Sequence, residues 1–167
     1  AVRILQREQP VELVPTFLGA HAWPPEYAGD HEGFVEFLLD TVLPAVKEQG
    51  VAEYVDVFTE KGVFSVEQSR RILQKAQELG FKLRMHADEM HSLGGAELAA
   101  ELNAASADHL LMVSGQGIRA LLESDVVPIL LPGTAFTLRK PYAPARKMLA
   151  AGLPLALATD FNPGSCP

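Results

Sequence analysis

Histidines and carboxylates follow several short apolar runs of this 167-residue sequence, at points where each run gives way to polar residues. In chain order these residues are His21, His86 with Glu89, His109, and Asp160 with Asn162. Imidazole nitrogens and carboxylate oxygens bind divalent metal ions, and they transfer protons near neutral pH. A catalytic metal usually has at least three protein ligands and an open position for water. His86 and Asp160 can supply two ligands, and His109 is either the third ligand or an uncoordinated base.

The stretch KLRMHADEM, from Lys82 to Met90, predicts the strand that must position His86. Its period-two alternation puts one set of residues on an apolar face, namely Leu83, Met85 and Ala87. The opposite, polar face would carry Arg84, His86 and Asp88. Glu89 can share a site with His86 only if the strand ends there, and the sequence HSLGG that follows favours a turn. Catalytic groups collect at this end of the strands in parallel α/β folds.

Predicted strands and helices alternate along the rest of the chain. The strands are expected at 11–20, 54–58, 82–87, 106–111, 126–131 and 154–160, and the helices at 34–49, 65–80, 95–103, 114–124 and 144–151. The apolar run 126–131 is typical of a strand covered on both faces. The alternation favours one parallel α/β domain over residues 1–167. A (β/α)8 barrel needs eight strands and about 250 residues, so six strands fit an open sheet or, as we expect, part of a barrel.

Composition excludes several classes of partner. The chain has 14 basic and 21 acidic residues and a formal charge of −7, without a Lys/Arg cluster that would follow a nucleic-acid backbone. Its apolar runs are shorter than the roughly 20 residues of a membrane span, and its first residues are charged. A single cysteine, Cys166, suits a reducing compartment. We therefore expect a cytoplasmic protein with a small-molecule substrate and neither nucleic-acid nor membrane partners.

Five segments of the chain together resemble the imidazolonepropionase family, metal-dependent cyclic amidohydrolases of histidine breakdown. They are TFLGAHAWPPEY (16–27), DVFTEKGVFS (56–65), RMHADE (84–89), SADHL (106–110) and LATDFNPGSCP (157–167). The resemblance implies a TIM barrel of which this chain would form about the third to the eighth strand. It also implies one zinc or iron ion, hydrolysis of the ring amide of 4-imidazolone-5-propanoate to N-formimidoyl-L-glutamate, and a homodimer of the full-length protein.

The same resemblance implies roles for individual residues. His86 and Asp160 would bind the metal, and Asp160 would also relay a proton from the attacking water to the leaving ring nitrogen. Glu89 would hydrogen-bond the substrate ring and assist the water, and His109 would transfer a proton or stabilise the oxyanion. The remaining substrate contacts would come from His21, Asn162, Gly164 and Ser165.

One departure from the family is large. The His-x-His motif that supplies the family's other two metal ligands does not occur in this sequence, and the arginine expected to bind the substrate carboxylate is also missing. We therefore expect the isolated chain to be inactive. Two other functions fit the residues: a related amidohydrolase such as a heterocycle deaminase, which would release ammonia, and a non-catalytic α/β scaffold, which would bind no metal.

Overall fold

A single parallel sheet organises the chain, for which the computed structural model describes residues 1–162, 164 and 166. Within those residues six strands lie in the sheet in the same order as in the sequence. They are β1 (Thr16–Ala20), β2 (Tyr54–Thr59), β3 (Lys82–Ala87), β4 (Ser106–His109), β5 (Val127–Leu130) and β6 (Ala156–Leu157). Every neighbouring pair is parallel, so all the carboxyl ends lie at one edge. The sequential order is that of a partial barrel.

Helices make the crossover connections that parallel neighbours require. They are α1 (Val2–Glu8), α2 (His31–Phe37), α3 (Leu43–Gln49), α4 (Val66–Glu78), α5 (Gly95–Glu101), α6 (Gly115–Leu122), α7 (Pro132–Thr137) and α8 (Ala145–Ala151). A π-helical turn, Leu38–Val42, joins α2 to α3, so that the predicted helix 34–49 is one helical run that ends at Gly50 with φ of 62°. Helix α4 begins with a capping box, in which Ser65 and Gln68 are bonded reciprocally. None of the helices in the described part of the chain has the length and apolarity that a membrane crossing requires.

The hydrophobic core lies between one face of the sheet and these helices. Alternation in β3 is confirmed there, because Leu83, Met85 and Ala87 are buried in this core. The opposite face is polar: Arg84 and His86 are half-buried on β3, next to residues of β2. The sheet thus separates an apolar layer from a face that presents ionisable side chains.

The predicted and observed elements differ at several places. Helix α1 was not predicted, and the strand predicted at 11–20 begins only at Thr16. The strand predicted at 154–160 is confined to Ala156–Leu157, because only these two residues pair with β5. The prediction that 126–131 is covered on both faces is wrong, since Val127 is 37% exposed. A helix, α7, begins at Pro132, between the predicted strand 126–131 and the predicted helix 144–151, where no element was predicted. Proline at the first helical position is compatible with a helix start.

Candidate active site at the carboxyl edge of the sheet

Three of the predicted site residues come together at the carboxyl edge. His86 lies near the end of β3, His109 is the last residue of β4, and Asp160 lies three residues beyond β6. One potential ligand atom from each lies within 4.8 Å of the others. The ring centroids of His86 and His109 are 4.9 Å apart. This distance suits a group of side chains that share one small ion or one reacting molecule.

Left-handed backbone turns the chain at these strand ends. Asp88, His109, Leu110 and Asp160 all have positive φ, between 49° and 74°. For residues other than glycine this conformation costs about 1–2 kcal/mol, and such strain clusters at active sites. The turns at Asp88 and at His109 and Leu110 end β3 and β4 at the rim of the sheet, and the turn at Asp160 lies three residues beyond β6.

Asp88 occupies a different place from the one predicted. Alternation placed it on the polar face beside His86, and this prediction is wrong because the chain turns at Asp88 with φ of 49°. The buried carboxylate instead accepts hydrogen bonds from backbone N–H groups at the start of α5, namely those of Leu93, Gly94, Gly95 and Ala96. It therefore fixes the loop that contains Glu89.

Glu89 and His109 form a buried pair without a direct hydrogen bond. Glu89 Oε1 and His109 Nδ1 are 3.6 Å apart, and neither ring nitrogen of His109 has a hydrogen-bond partner among the described residues. Burial raises the pKa of Glu89. Burial, followed by the nearby charge of His86, lowers the pKa of His109 to about 4. His109 is therefore neutral near pH 7, and the raised pKa of Glu89 makes its carboxylate a stronger base than that of an ordinary glutamate.

Asp56 is the site residue that the sequence reasoning missed. It lies in the middle of β2, is 3% exposed, and points to the same side of the sheet as His86. Its Oδ1 lies 2.8 Å from His86 Nδ1 and 3.2 Å from His21 Nε2, and the rings of the two histidines are 4.5 Å apart. Its position inside the apolar strand YVDVFT was the available signal, since a carboxylate is rarely buried without a partner.

The carboxylate of Asp56 and the imidazoles bonded to it stabilise each other's charged forms. Burial raises the pKa of Asp56, but hydrogen bonds from the two histidines outweigh burial and the pKa is lowered. For His86, burial lowers the pKa, but the hydrogen bond and charge of Asp56 prevail and raise it to about 9. In the chain as described, Asp56 is therefore a carboxylate that accepts hydrogen bonds from two imidazole N–H groups.

Glu60 holds the other side of the loop that follows β3. This buried carboxylate accepts hydrogen bonds from Met90 N at 2.8 Å and from His91 Nδ1 at 2.7 Å. His91 is therefore bound to the loop next to the site and is outside the His86 cluster. His31 is likewise outside it, because it stacks on Trp23 at 4.0 Å.

The segment after β6 brings Asp160 to the site. Thr134 Oγ1 of α7 donates a hydrogen bond to Asp160 Oδ2 at 2.8 Å. Asn162 Nδ2 donates to Asp160 O at 2.8 Å, and Gly164 N donates to Asn162 Oδ1 at 2.9 Å. Ser165, which the resemblance implied as a substrate contact, lies outside the described residues.

Comparison with known proteins gives the same family as the five segments. No family model matches the chain. It is 56% identical over its whole length to the imidazolonepropionase of Alkaliphilus oremlandii, and 57% identical over 99% of its length to that of Fusobacterium nucleatum. The chain belongs to the imidazolonepropionase family. It spans about 40% of the length of these imidazolonepropionases.

Solved structures of other proteins share the fold of this chain. One is a guanine deaminase from C. acetobutylicum with bound guanine. The match covers 92% of this chain and 41% of the deaminase chain, with a TM-score of 0.65 and 16% identity. Another is a zinc-bound adenosine deaminase from Xanthomonas campestris. The match covers 85% of this chain and 36% of the deaminase chain, with a TM-score of 0.61 and 16% identity. These likenesses show that the six parallel strands share the fold of part of these larger chains, consistent with a partial barrel.

Proposed function

We propose that this chain supplies the catalytic edge of an imidazolonepropionase, which hydrolyses the ring amide of 4-imidazolone-5-propanoate to N-formimidoyl-L-glutamate. The observation that carries the proposal is the convergence of His86, His109 and Asp160 in a chain that is 56% identical to an imidazolonepropionase. Residues 1–167 would form one barrel domain together with strands supplied by the rest of the protein.

The residues fit a metal ion. His86 and Asp160 offer a nitrogen and an oxygen ligand, and His109 has two buried ring nitrogens without a hydrogen-bond partner in the described part of the chain. Buried polar atoms are rarely left unsatisfied, so a ligand or ion at this place would remove a cost of about 1–3 kcal/mol. We propose zinc or iron, because imidazole and carboxylate ligands suit both. Such an ion lowers the pKa of water and polarises a carbonyl oxygen.

The chain's own residues would then divide the proton transfers. Glu89, whose pKa is raised by burial, would hydrogen-bond the imidazolone ring and take a proton from the attacking water. His109, neutral at pH 7, would donate an N–H hydrogen bond to the developing oxyanion. Asp160 would help to relay the proton that Glu89 takes from the water to the leaving ring nitrogen. His21, Asn162, Gly164 and Ser165 would bind the substrate.

The activity would belong to a longer protein, so the test needs the missing ligands. We would replace the matching segment of the Alkaliphilus oremlandii imidazolonepropionase with this chain and follow ring opening of imidazolone propanoate. The chimaera should open the ring, and Glu89→Gln should reduce kcat by about 100-fold or more, as expected for loss of a general base. Glu101→Gln, which changes an exposed glutamate on α5, is the matched control and should have no effect.

Three results would contradict the proposal. The first is a folded chimaera that contains zinc or iron but leaves the ring closed. The second is release of ammonia from heterocyclic substrates, which would indicate a deaminase. The third is a folded chimaera that binds no metal, which would indicate a scaffold.

A further inference from the structure

Asp56 lies between two histidines to which the proposed function gives different roles. A single oxygen, Oδ1, lies within hydrogen-bond distance of both His86 Nδ1 and His21 Nε2. The two imidazole rings meet edge to face, at an interplanar angle of 81°. Asp56 itself is 3% exposed, so the described side chains take the place of water around this oxygen.

The chemistry of the carboxylate determines which nitrogens carry protons. An ionised carboxylate is only an acceptor, so each of the two nitrogens that face Asp56 must carry the hydrogen. When neutral, His86 therefore has its lone pair on Nε2, and His21 has its lone pair on Nδ1. In metal sites such a carboxylate fixes the tautomer and the ring orientation of the ligand histidine and makes that histidine a stronger ligand.

We propose that Asp56 is a positioning residue. Through one shared oxygen it fixes the orientation of the metal ligand His86 and of the substrate contact His21 relative to each other. This inference rests on the proposed function. Movement of the Asp56 carboxylate would change both rings together, so metal binding and substrate binding would depend on the same side chain. Asp56 would touch neither the metal nor the substrate.

A neighbouring carboxylate provides a matched control. Asp108 lies on β4, opposite His86 in the register of the parallel pair, and is half-buried. Its Oδ1 is buried and has no hydrogen-bond partner among the described residues, and the charge of Asp108 acts on His86 through space. Substitution of Asp108 therefore removes a carboxylate from the same face of the sheet without changing the shared hydrogen bonds.

The first measurement is the zinc affinity of the chimaera described above, determined by competition with a chelator. This measurement does not depend on catalytic activity. Asp56→Asn should weaken zinc binding by about 10–100-fold, the usual effect of losing the carboxylate behind a ligand histidine. Asp108→Asn should leave the affinity within about twofold. If Asp56→Asn leaves zinc binding unchanged in a folded protein, or if Asp108→Asn weakens it equally, the proposal is overturned.

The second measurement separates the two histidines. Asp56→Asn should raise KM about tenfold, as expected for the loss of a hydrogen bond to a charged group that orients His21. In a His21→Asn background the same substitution should leave KM unchanged but should still weaken zinc binding, because residues that act through each other are not additive. Additive effects of the two substitutions on KM would refute the link to His21.

Failure of the proposed function would be recognised separately. If the chimaera with native Asp56 does not open the imidazolone ring, the proposed activity is wrong, and zinc affinity alone then decides whether Asp56 positions His86. If Asp56→Asn does not fold, Asp56→Glu keeps the charge but moves the oxygen, and it should weaken zinc binding in the same direction. Native zinc affinity in folded Asp56→Glu would overturn the inference.

Discussion

Removal of the Asp88 carboxylate should destabilise the chain more than removal of an ordinary helix cap. Asp88 Oδ1 accepts hydrogen bonds from the N–H groups of Leu93, Gly94 and Gly95, and Oδ2 accepts one from Ala96 N at 3.0 Å. The carboxylate has no solvent exposure. Water cannot reach these donors easily once their acceptor is removed, so each N–H group that stays buried carries an unsatisfied hydrogen bond.

The expected magnitude follows from the number of bonds lost. Asp88→Asn keeps one oxygen and tolerates the left-handed backbone at φ of 49°, but it turns an NH2 group towards an N–H donor. Burial raises the pKa of Asp88, so loss of the buried charge offsets part of this cost. We expect a loss of about 2 kcal/mol. Asp88→Ala loses all four acceptor contacts and adds the cost of alanine in the left-handed region, so we expect about 4 kcal/mol.

Urea and thermal unfolding of the chain, followed by circular dichroism, measure these losses. For a chain of this size about 2 kcal/mol corresponds to a fall in Tm of about 4–8 °C. Ser65→Ala is the control, because it removes the exposed capping box of α4 and should cost about 1 kcal/mol. The reasoning would be refuted if Asp88→Ala cost no more than Ser65→Ala.

Three further predictions concern stability. Burial raises the pKa of Glu60, but hydrogen bonds from backbone N–H groups outweigh burial and lower the pKa below 4.5. In urea unfolding, the native chain should therefore have a higher free energy of unfolding than Glu60→Gln. This difference should be constant above about pH 5.5 and should shrink as the pH falls below 4.5. Gly117→Ala should lower the free energy of unfolding by about 1–3 kcal/mol, because the new Cβ would come within 2.9 Å of a Val113 methyl. Gly115→Ala is the control: its Cβ would lie 3.8 Å from Arg119, so the substitution should be neutral or stabilising. Calorimetry measures both variants. Met85→Ala should cost about 2–5 kcal/mol in the same assay, since this side chain is fully buried in the core; a loss under 1 kcal/mol would contradict its placement.

The sequence was most informative where side-chain chemistry coincided with strand ends. Polar residues after apolar runs predicted that His86, His109 and Asp160 would meet, because the carboxyl ends of parallel strands share one edge. Asp56 was missed because it lies inside a strand, and its role depends on histidines that are about 30 residues away along the chain.

Local backbone geometry accounts for the other differences. Alternation assigned Asp88 to the face of His86, but period-two patterns hold only while the strand continues, and a left-handed turn at Asp88 ends it. The exposure of Val127 could not be predicted from its apolar run, since that run does not show whether a second layer covers the strand.

The sequential order of the strands has a consequence for how the site forms during folding. Each strand pairs with the strand before it, so paired residues such as Val55 and Leu83 are separated by only about 20–40 residues along the chain. Loops of this length close at moderate entropic cost, and the sheet can therefore grow from its first strand to its last during synthesis. His86 takes its place with the third strand and His109 with the fourth, but Asp160 arrives only after the sixth. The ligand set would then be completed late, when most of the core that supports it has already formed.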